Sequence, residues 1–252
     1  MPAKELPKLG KKPARHDPRT LHLRAFLRLE SLPAIPPRHH QAEHVRRWPT
    51  LGNRRIHDCT CAAAGHLIHA WTSRFGPAVI LPTRVIERAY SQITGYDPRT
   101  GKRDTGADVL TVLNYWRKSG FGGHHIEAFA SLERHHQLHI RAAIFLFGGV
   151  YVGLGLPRSA RRKKIWRVPP SGPHGHGRPD SWGGHVVPII GYDEHGLTAI
   201  SWGRRQRMTW GFWQTYCDEA YAVLARDLFD GQKKAPAGLD LKGLRAALAA
   251  LH

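Results

Sequence analysis

Apolar residues recur at helical spacing through the first half of the chain, and in alternating or short continuous runs through the second. Val85, Ile86, Ala89, Tyr90 and Ile93 fall on one face of a helix over Thr83 to Thr94. Before it, Cys59 to Phe75 reads as a helix with Asp58 as N-cap. Ala62, Ala63, Leu67 and Ala70 or Trp71 supply its buried face, and Gly76-Pro77 ends it. Gly106 to Ser119 predicts a third helix closed by Gly120, and Leu132 to Phe147 a fourth. From Val150 the period changes. Val150 to Leu156 reads as a strand, and His185 to Tyr192 and Leu197 to Trp202 as a hairpin around Asp193-Glu194-His195-Gly196. Arg207 to Trp210 is a further strand, Phe212 to Cys217 a short helix and Ala220 to Leu224 a closing strand. Pro157 to Ser181 is a Pro/Gly/basic loop, long for a connector. Helices first and antiparallel strands after them make an α+β chain, its N-terminal helical half packed on a C-terminal antiparallel sheet half. Leu239 to Leu251 has the spacing of an amphipathic helix.

Three segments follow from this pattern. Residues 1–47 are rich in Pro, Arg and His and read as a basic arm, with the apolar stretch Leu21 to Leu32 available to dock on the body. Residues 48–230 form the body, and 231–252 a C-terminal extension. An arm of this kind is able to lie across a cleft as a pro-segment does, although its basic, Pro-rich character gives that role little support.

Composition narrows the class. Hydrophobic residues make up 41% of the chain, which excludes wholesale disorder. Three cysteines exclude a disulfide framework. No apolar run approaches the ~18 residues of a membrane span, and no apolar core follows Met1, so a soluble, cytoplasmic or virion-associated protein is expected, with no membrane partner. Lys and Arg total 38 against 19 Asp and Glu, a net charge of +19. The excess is spread along the chain and reads mainly as a solubilising surface. The sharper alternative is polyanion contact through Arg161-Arg162-Lys163-Lys164 and Arg204-Arg205-Gln206-Arg207, neither of which matches a base-reading motif. The histidine pairs are those that 18 histidines produce by chance, and no Cys-x-x-Cys accompanies them, so neither metal nor cofactor is expected.

The chemistry-bearing candidates are Cys59, at a helix start where dipole and free N–H groups favour a thiolate, and His185, opening a strand behind Trp182-Gly183-Gly184. An imidazole there can take the thiol proton and return it to a leaving group. Taken together, Gly52-Asn53-Arg54-Arg55-Ile56-His57-Asp58-Cys59, Trp182-Gly183-Gly184-His185 with Gly191-Tyr192, and Ser201-Trp202-Gly203 resemble, in chain order, the blocks of the papain-like cysteine peptidases. The stretch from Trp48 to Leu224 also looks like a branch of that family in bacteria and their phages, through Gly95-Tyr96-Asp97-Pro98, Asn114-Tyr115-Trp116-Arg117-Lys118 and Phe147-Gly148-Gly149-Val150-Tyr151.

The resemblance implies a papain-like fold and a cysteine hydrolase, peptidase or amidase, acting on a peptide or protein. It makes Cys59 the nucleophile, His185 the general base and acid, and Asn53, six residues before Cys59, the oxyanion-hole amide in place of the family's glutamine. Trp182, Gly183, Gly184 and Trp202 would line the substrate cleft. The family's asparagine that orients the histidine falls on Ile200, which cannot accept a hydrogen bond. A shift of one residue offers Ser201, and Asp193 or Asp180 are further options. Thr60 replaces the family's tryptophan, and Ile56 a disulfide cysteine. Cys61, about 200° around the helix from Cys59, and Cys217 read as packing residues. These departures leave open a second class, a catalytically weak or inactive structural or binding component of a phage particle or toxin-like assembly.

Overall fold

The computed structural model describes residues 6–74, 77–225, 240, 242–243 and 245–246. In chain order the elements are β1 (His39–His40), α1 (Cys59–Thr72), α2 (Thr83–Thr94), α3 (Val109–Lys118), β2 (Ile126–Ser131), α4 (Gln137–Phe147), β3 (Val150–Leu156), β4 (Ile165–Trp166), β5 (Gly183–Tyr192), β6 (Gly196–Ser201), β7 (Arg204–Thr209), α5 (Trp210–Tyr216) and β8 (Cys217–Ala225). The sheet runs β2-β8-β3-β5-β6-β7-β4, with β1 paired to β5, and every pairing is antiparallel except β4 with β7. The architecture is α+β, as the pattern predicts.

Helix α1 is the centre of the molecule. It is buried from Cys59 to Trp71 on all sides, not on the single face that its apolar spacing predicts. The run Ala62-Ala63-Ala64-Gly65 explains this, because small side chains let neighbours approach closely. A Cβ on Gly65 would stand 2.7 Å from Leu51 Cδ1. The helix packs on β5, α2 and α3. Its polar groups are satisfied locally: His66 Nε2 lies 2.8 Å from the Pro49 carbonyl, and Tyr151 donates to the Thr60 carbonyl at 2.6 Å.

Other boundaries moved for identifiable reasons. Helix α3 starts at Val109, because Asp108 caps it by accepting from the Thr111 N–H at 3.0 Å, while Gly106 sits at φ +74°. Helix α4 starts at Gln137, where the His136 side chain accepts from the His139 N–H at 3.4 Å, and Ile126–Ser131, with its alternating burial, is a strand that the sequence reading missed. The Pro157 to Ser181 loop contains β4, whose pairing with β7 places the two basic clusters side by side. Within them Arg205 donates to the carbonyls of Ala42, Glu43 and Val45, and Arg207 grips Asp193. The arm is docked, with Leu23, Leu27, Ala42 and Val45 in the core. Most of the expected helix at 239–251 lies outside the described residues. No helix among them is long and apolar enough to cross a membrane.

Candidate active site

The segment before α1 is held rigidly. Leu51 and Gly52 take positive φ, 53° and 95°, and reverse the chain. The Arg55 and Ile56 N–H groups then close on the Gly52 carbonyl. The Asp104 carboxylate accepts from the His57 N–H at 2.8 Å and from Tyr90 Oη at 2.9 Å, and lies 2.9 Å from His57 Nδ1. Tyr90 Oη in turn accepts from the Gly106 N–H at 2.8 Å. The loop leading to Cys59 and the loop at 104–107 are thereby one wall. Asp58 occupies the N-cap position, but its side chain accepts from none of the first-turn N–H groups. It is packed under Gly52 instead, and burial pushes its carboxyl well above the usual range. The free N–H groups of α1 are therefore left to the site at Cys59.

His185 enters from the opposite wall, on β5. It is fully buried, with Nε2 2.9 Å from Ser201 Oγ at the end of β6. Its ring is stacked on Trp202, with centroids 4.4 Å apart and planes 15° from parallel. Trp202 and Gly203 are the central pair of the tight β6–β7 turn, Ser201 pairing with Arg204, and both have positive φ, 48° and 74°. A tryptophan held in that strained region is fixed against the histidine by the turn itself. His185 Nδ1 is buried and makes no hydrogen bond. Helix α1 packs on β5, which brings Cys59 to the histidine strand, and the Val186 backbone amide, one residue on from His185, favours the charged form of its thiol. Burial pushes the Cys59 thiol up to about 12, against the Val186 N–H and the Lys11 charge. Burial, then the neighbouring His66, pushes His185 down to about 3. Both groups are neutral in this form.

Of the candidate partners for the imidazole, the structure brings only Ser201 to it. Ile200 is 1% exposed and, by strand alternation, points to the other face. Asp193 is consumed by the β5–β6 turn and Arg207. Asp180 lies over Gly155. Asn53 is buried on the Cys59 side, and Trp182 tilts against Trp202 with centroids 5.5 Å apart. Cys61 and Cys217 are buried thiols.

The space between these walls is filled by the arm, the covering role to which its basic, Pro-rich composition lent little support. Residues 8–12 of the arm thread through it. The Trp202 indole donates to the Lys8 carbonyl at 2.8 Å, and Asn53 Nδ2 reaches the Leu9 carbonyl at 3.5 Å, the long limit of a hydrogen bond. Ala107 donates to Gly10 and Lys12 to Ala107, while the Lys11 N–H donates to the Gly184 carbonyl, next to His185, at 3.0 Å. Three glycines make the passage. A Cβ on Gly10 would lie 2.0 Å from the His57 carbonyl oxygen, one on Gly106 2.0 Å from the Gly10 oxygen, and one on Gly184 2.4 Å from the Lys11 oxygen. No signal in the arm's composition pointed to this, because the fit depends on the walls.

No protein-family model matches the chain, and no curated protein matches it by sequence. Solved structures do match. Xylellain, a cysteine protease from Xylella fastidiosa, superposes with a TM-score of 0.66 at 12% identity, over 89% of this chain and 98% of its own. Procathepsin B S9 from Trypanosoma congolense gives 0.59 at 11% identity over 86% of each chain. The cysteine protease and lectin-like domains of Cwp84 from Clostridium difficile give 0.60 at 12% identity, over 86% of this chain and 56% of that one. The fold is therefore the papain-like fold that the three sequence blocks imply.

Proposed function

We propose that the chain is a cysteine peptidase, described in a form whose cleft is covered by its own N-terminal arm. The observation that carries this reading is the meeting of Cys59, at an uncapped helix start, with the strand of His185, whose Nε2 is held by Ser201 and whose Nδ1 has no partner. With the cleft open, Nδ1 takes the thiol proton and the thiolate adds to a peptide carbonyl. The Cys59 N–H and the Asn53 amide, now bonded to the Leu9 carbonyl, receive the oxyanion. The imidazolium then protonates the departing amine, and water hydrolyses the thioester by the same path reversed. A thiol-directed peptide aldehyde or epoxide tests it. Stoichiometric modification of Cys59 in an opened chain supports the reading, and none at Cys59 sinks it.

Ser201 is a positioning residue, because it acts through the imidazole. In a chain with an open cleft, Ser201→Ala is expected to lower kcat on the order of 10-fold with KM unchanged. Ser201→Asn, which can also hold Nε2, is expected to recover part of the loss. A change in KM alone would assign Ser201 to substrate binding instead.

Covering the site also sets a pH dependence. Free in water, an imidazole titrates near ~6.5 and a thiol near ~8.5, while the covered pair is held at about 3 and about 12. Below ~6.5 the open form binds a proton that the covered form refuses, so acid favours opening, by up to ~10-fold per pH unit until the covered value is reached. Above ~8.5 the open form loses a thiol proton that the covered form keeps, so base favours opening as well. The cover is tightest between those two values. The Cys59 reaction rate with 2,2′-dithiodipyridine in the full chain, divided by that of an opened chain, is expected to pass through a minimum there. A flat ratio would contradict the coupling.

A further inference from the structure

Among the described residues of the arm, Lys11 is enclosed by charged partners. The Lys11 side chain is 1% exposed, and its ammonium lies 2.7 Å from Asp218 Oδ2, 3.3 Å from Glu219 Oε1 and 3.2 Å from the Lys12 carbonyl. Two acceptors take its N–H groups, Asp218 Oδ2 and the Lys12 carbonyl, and Glu219 Oε1 adds an ion pair without a hydrogen bond. Burying a lysine without such partners is strongly unfavourable. Here the two carboxylates overcome the desolvation, so that its ammonium is held above the usual lysine range.

The receptor is built by the sheet. Consecutive strand residues ordinarily point to opposite faces, so Asp218 and Glu219 should not share a ligand. Gly153 pairs with Glu219 and Leu154 with Cys217, which leaves Asp218 as the extra residue of a β-bulge in β8. The bulge turns both carboxylates to one side. Arg134 pins it by donating to the carbonyls of Cys217 and Asp218, at 2.7 and 3.1 Å. Tyr221 donates to Glu219 Oε2 at 3.1 Å and aims the other oxygen at the lysine. Across from them β3 carries Gly153, where a Cβ would lie 2.4 Å from Lys11 Cε and 2.6 Å from Glu219 Cγ. Any other residue at 153 would fill the pocket. Asp218 Oδ1 is buried and makes no hydrogen bond even with Lys11 in place. The pocket opens beside a cavity of about 910 Å³.

We infer that Gly153, Asp218 and Glu219 form a specificity pocket for a lysine side chain, and that Lys11 occupies it in place of a substrate lysine. The inference rests on the peptidase reading for the word substrate, but the pocket's selectivity for an ammonium does not. Side-chain recognition reads the tip of the residue, so it holds whichever way the bound chain runs. The pocket lies one residue along the arm from Gly10, which passes against the carbonyl of His57, two residues before Cys59. A lysine seated there is therefore close to the bond that Cys59 would attack.

The test uses the full chain with Gly10→Val and Lys11→Ala, which empties the pocket. Binding of a synthetic peptide of arm residues 6–15 to a version also carrying Cys59→Ala is compared with that of the same peptide bearing norleucine in place of Lys11. Binding of the lysine peptide is expected to be at least ~100-fold tighter. The isosteres Asp218→Asn and Glu219→Gln are each expected to remove at least ~10-fold of that preference. In parallel, kcat/KM is measured on peptide libraries with Cys59 intact, and lysine is expected at the position nearest the cut that shows the strongest selection. Lysine-selective binding without turnover supports the pocket and overturns the peptidase reading. Turnover without basic preference, or equal binding of the norleucine peptide, overturns the pocket.

Discussion

Cys59→Ala, placed in a full chain whose cleft is opened by Gly10→Val, is expected to lower kcat/KM on a cleavable peptide by at least ~10⁴-fold, at a stability cost of no more than about 1 kcal/mol. Removing a nucleophile that acts together with a base costs nearly all of the covalent route, and only binding and oxyanion stabilisation remain. Cys61 and Cys217 provide the contrast. Both are buried thiols, with burial raising each well above the ordinary thiol range. Cys61 sits on the core side of α1 and Cys217 at the start of β8. Their alanine variants should cost stability, on the order of 1 kcal/mol each, with kcat within a few-fold. Activity that survives Cys59→Ala, or that vanishes with Cys217→Ala in a folded chain, would transfer the chemistry elsewhere.

Gly10→Val is expected to raise peptide hydrolysis about 10- to 100-fold over the unmodified chain, and the Cys59 alkylation rate in parallel. Gly10 has φ +114° and no room for a Cβ against the His57 carbonyl, so a branched residue there opposes the threaded arm twice, by backbone strain and by collision. The substitution touches neither Cys59, His185 nor Asn53. If the open form is a minor population, activity rises by the factor through which its share grows. Deleting residues 1–16 should do the same or more. Unchanged alkylation in a folded Gly10→Val chain would mean that the arm does not guard the thiol.

Much of the site was legible in the residues. A cysteine at a helix start, a histidine opening a strand and a serine-tryptophan-glycine turn are local patterns, and α1, β5 and β6 bring them together. Ser201 was identifiable as a hydrogen-bond partner for His185, and strand alternation turns Ile200 away from it. The strand Ile126–Ser131 was also readable from its alternation, but no element was assigned between Gly120 and Leu132. The start of α3 was set by the Asp108 cap, whose advantage over Gly106 depends on backbone geometry.

By itself, then, the sequence determined the α+β order, and the helix Thr83–Thr94 and strand Val150–Leu156 to the residue, and it singled out Cys59 and His185 as the candidates on which the proposal rests. Those are matters of local periodicity and short motifs, carried by residues near one another in the chain. Tertiary structure alone decided that α1 is enclosed on every side, that Asp58 leaves its helix uncapped, and that a β-bulge turns Asp218 and Glu219 toward Lys11, 207 residues away from Asp218. A lysine's neighbours are set by where the sheet and the arm cross. That crossing depends on glycines at 10, 106, 153 and 184 leaving space for one another's segments, and space of that kind has no signature until the chain is folded.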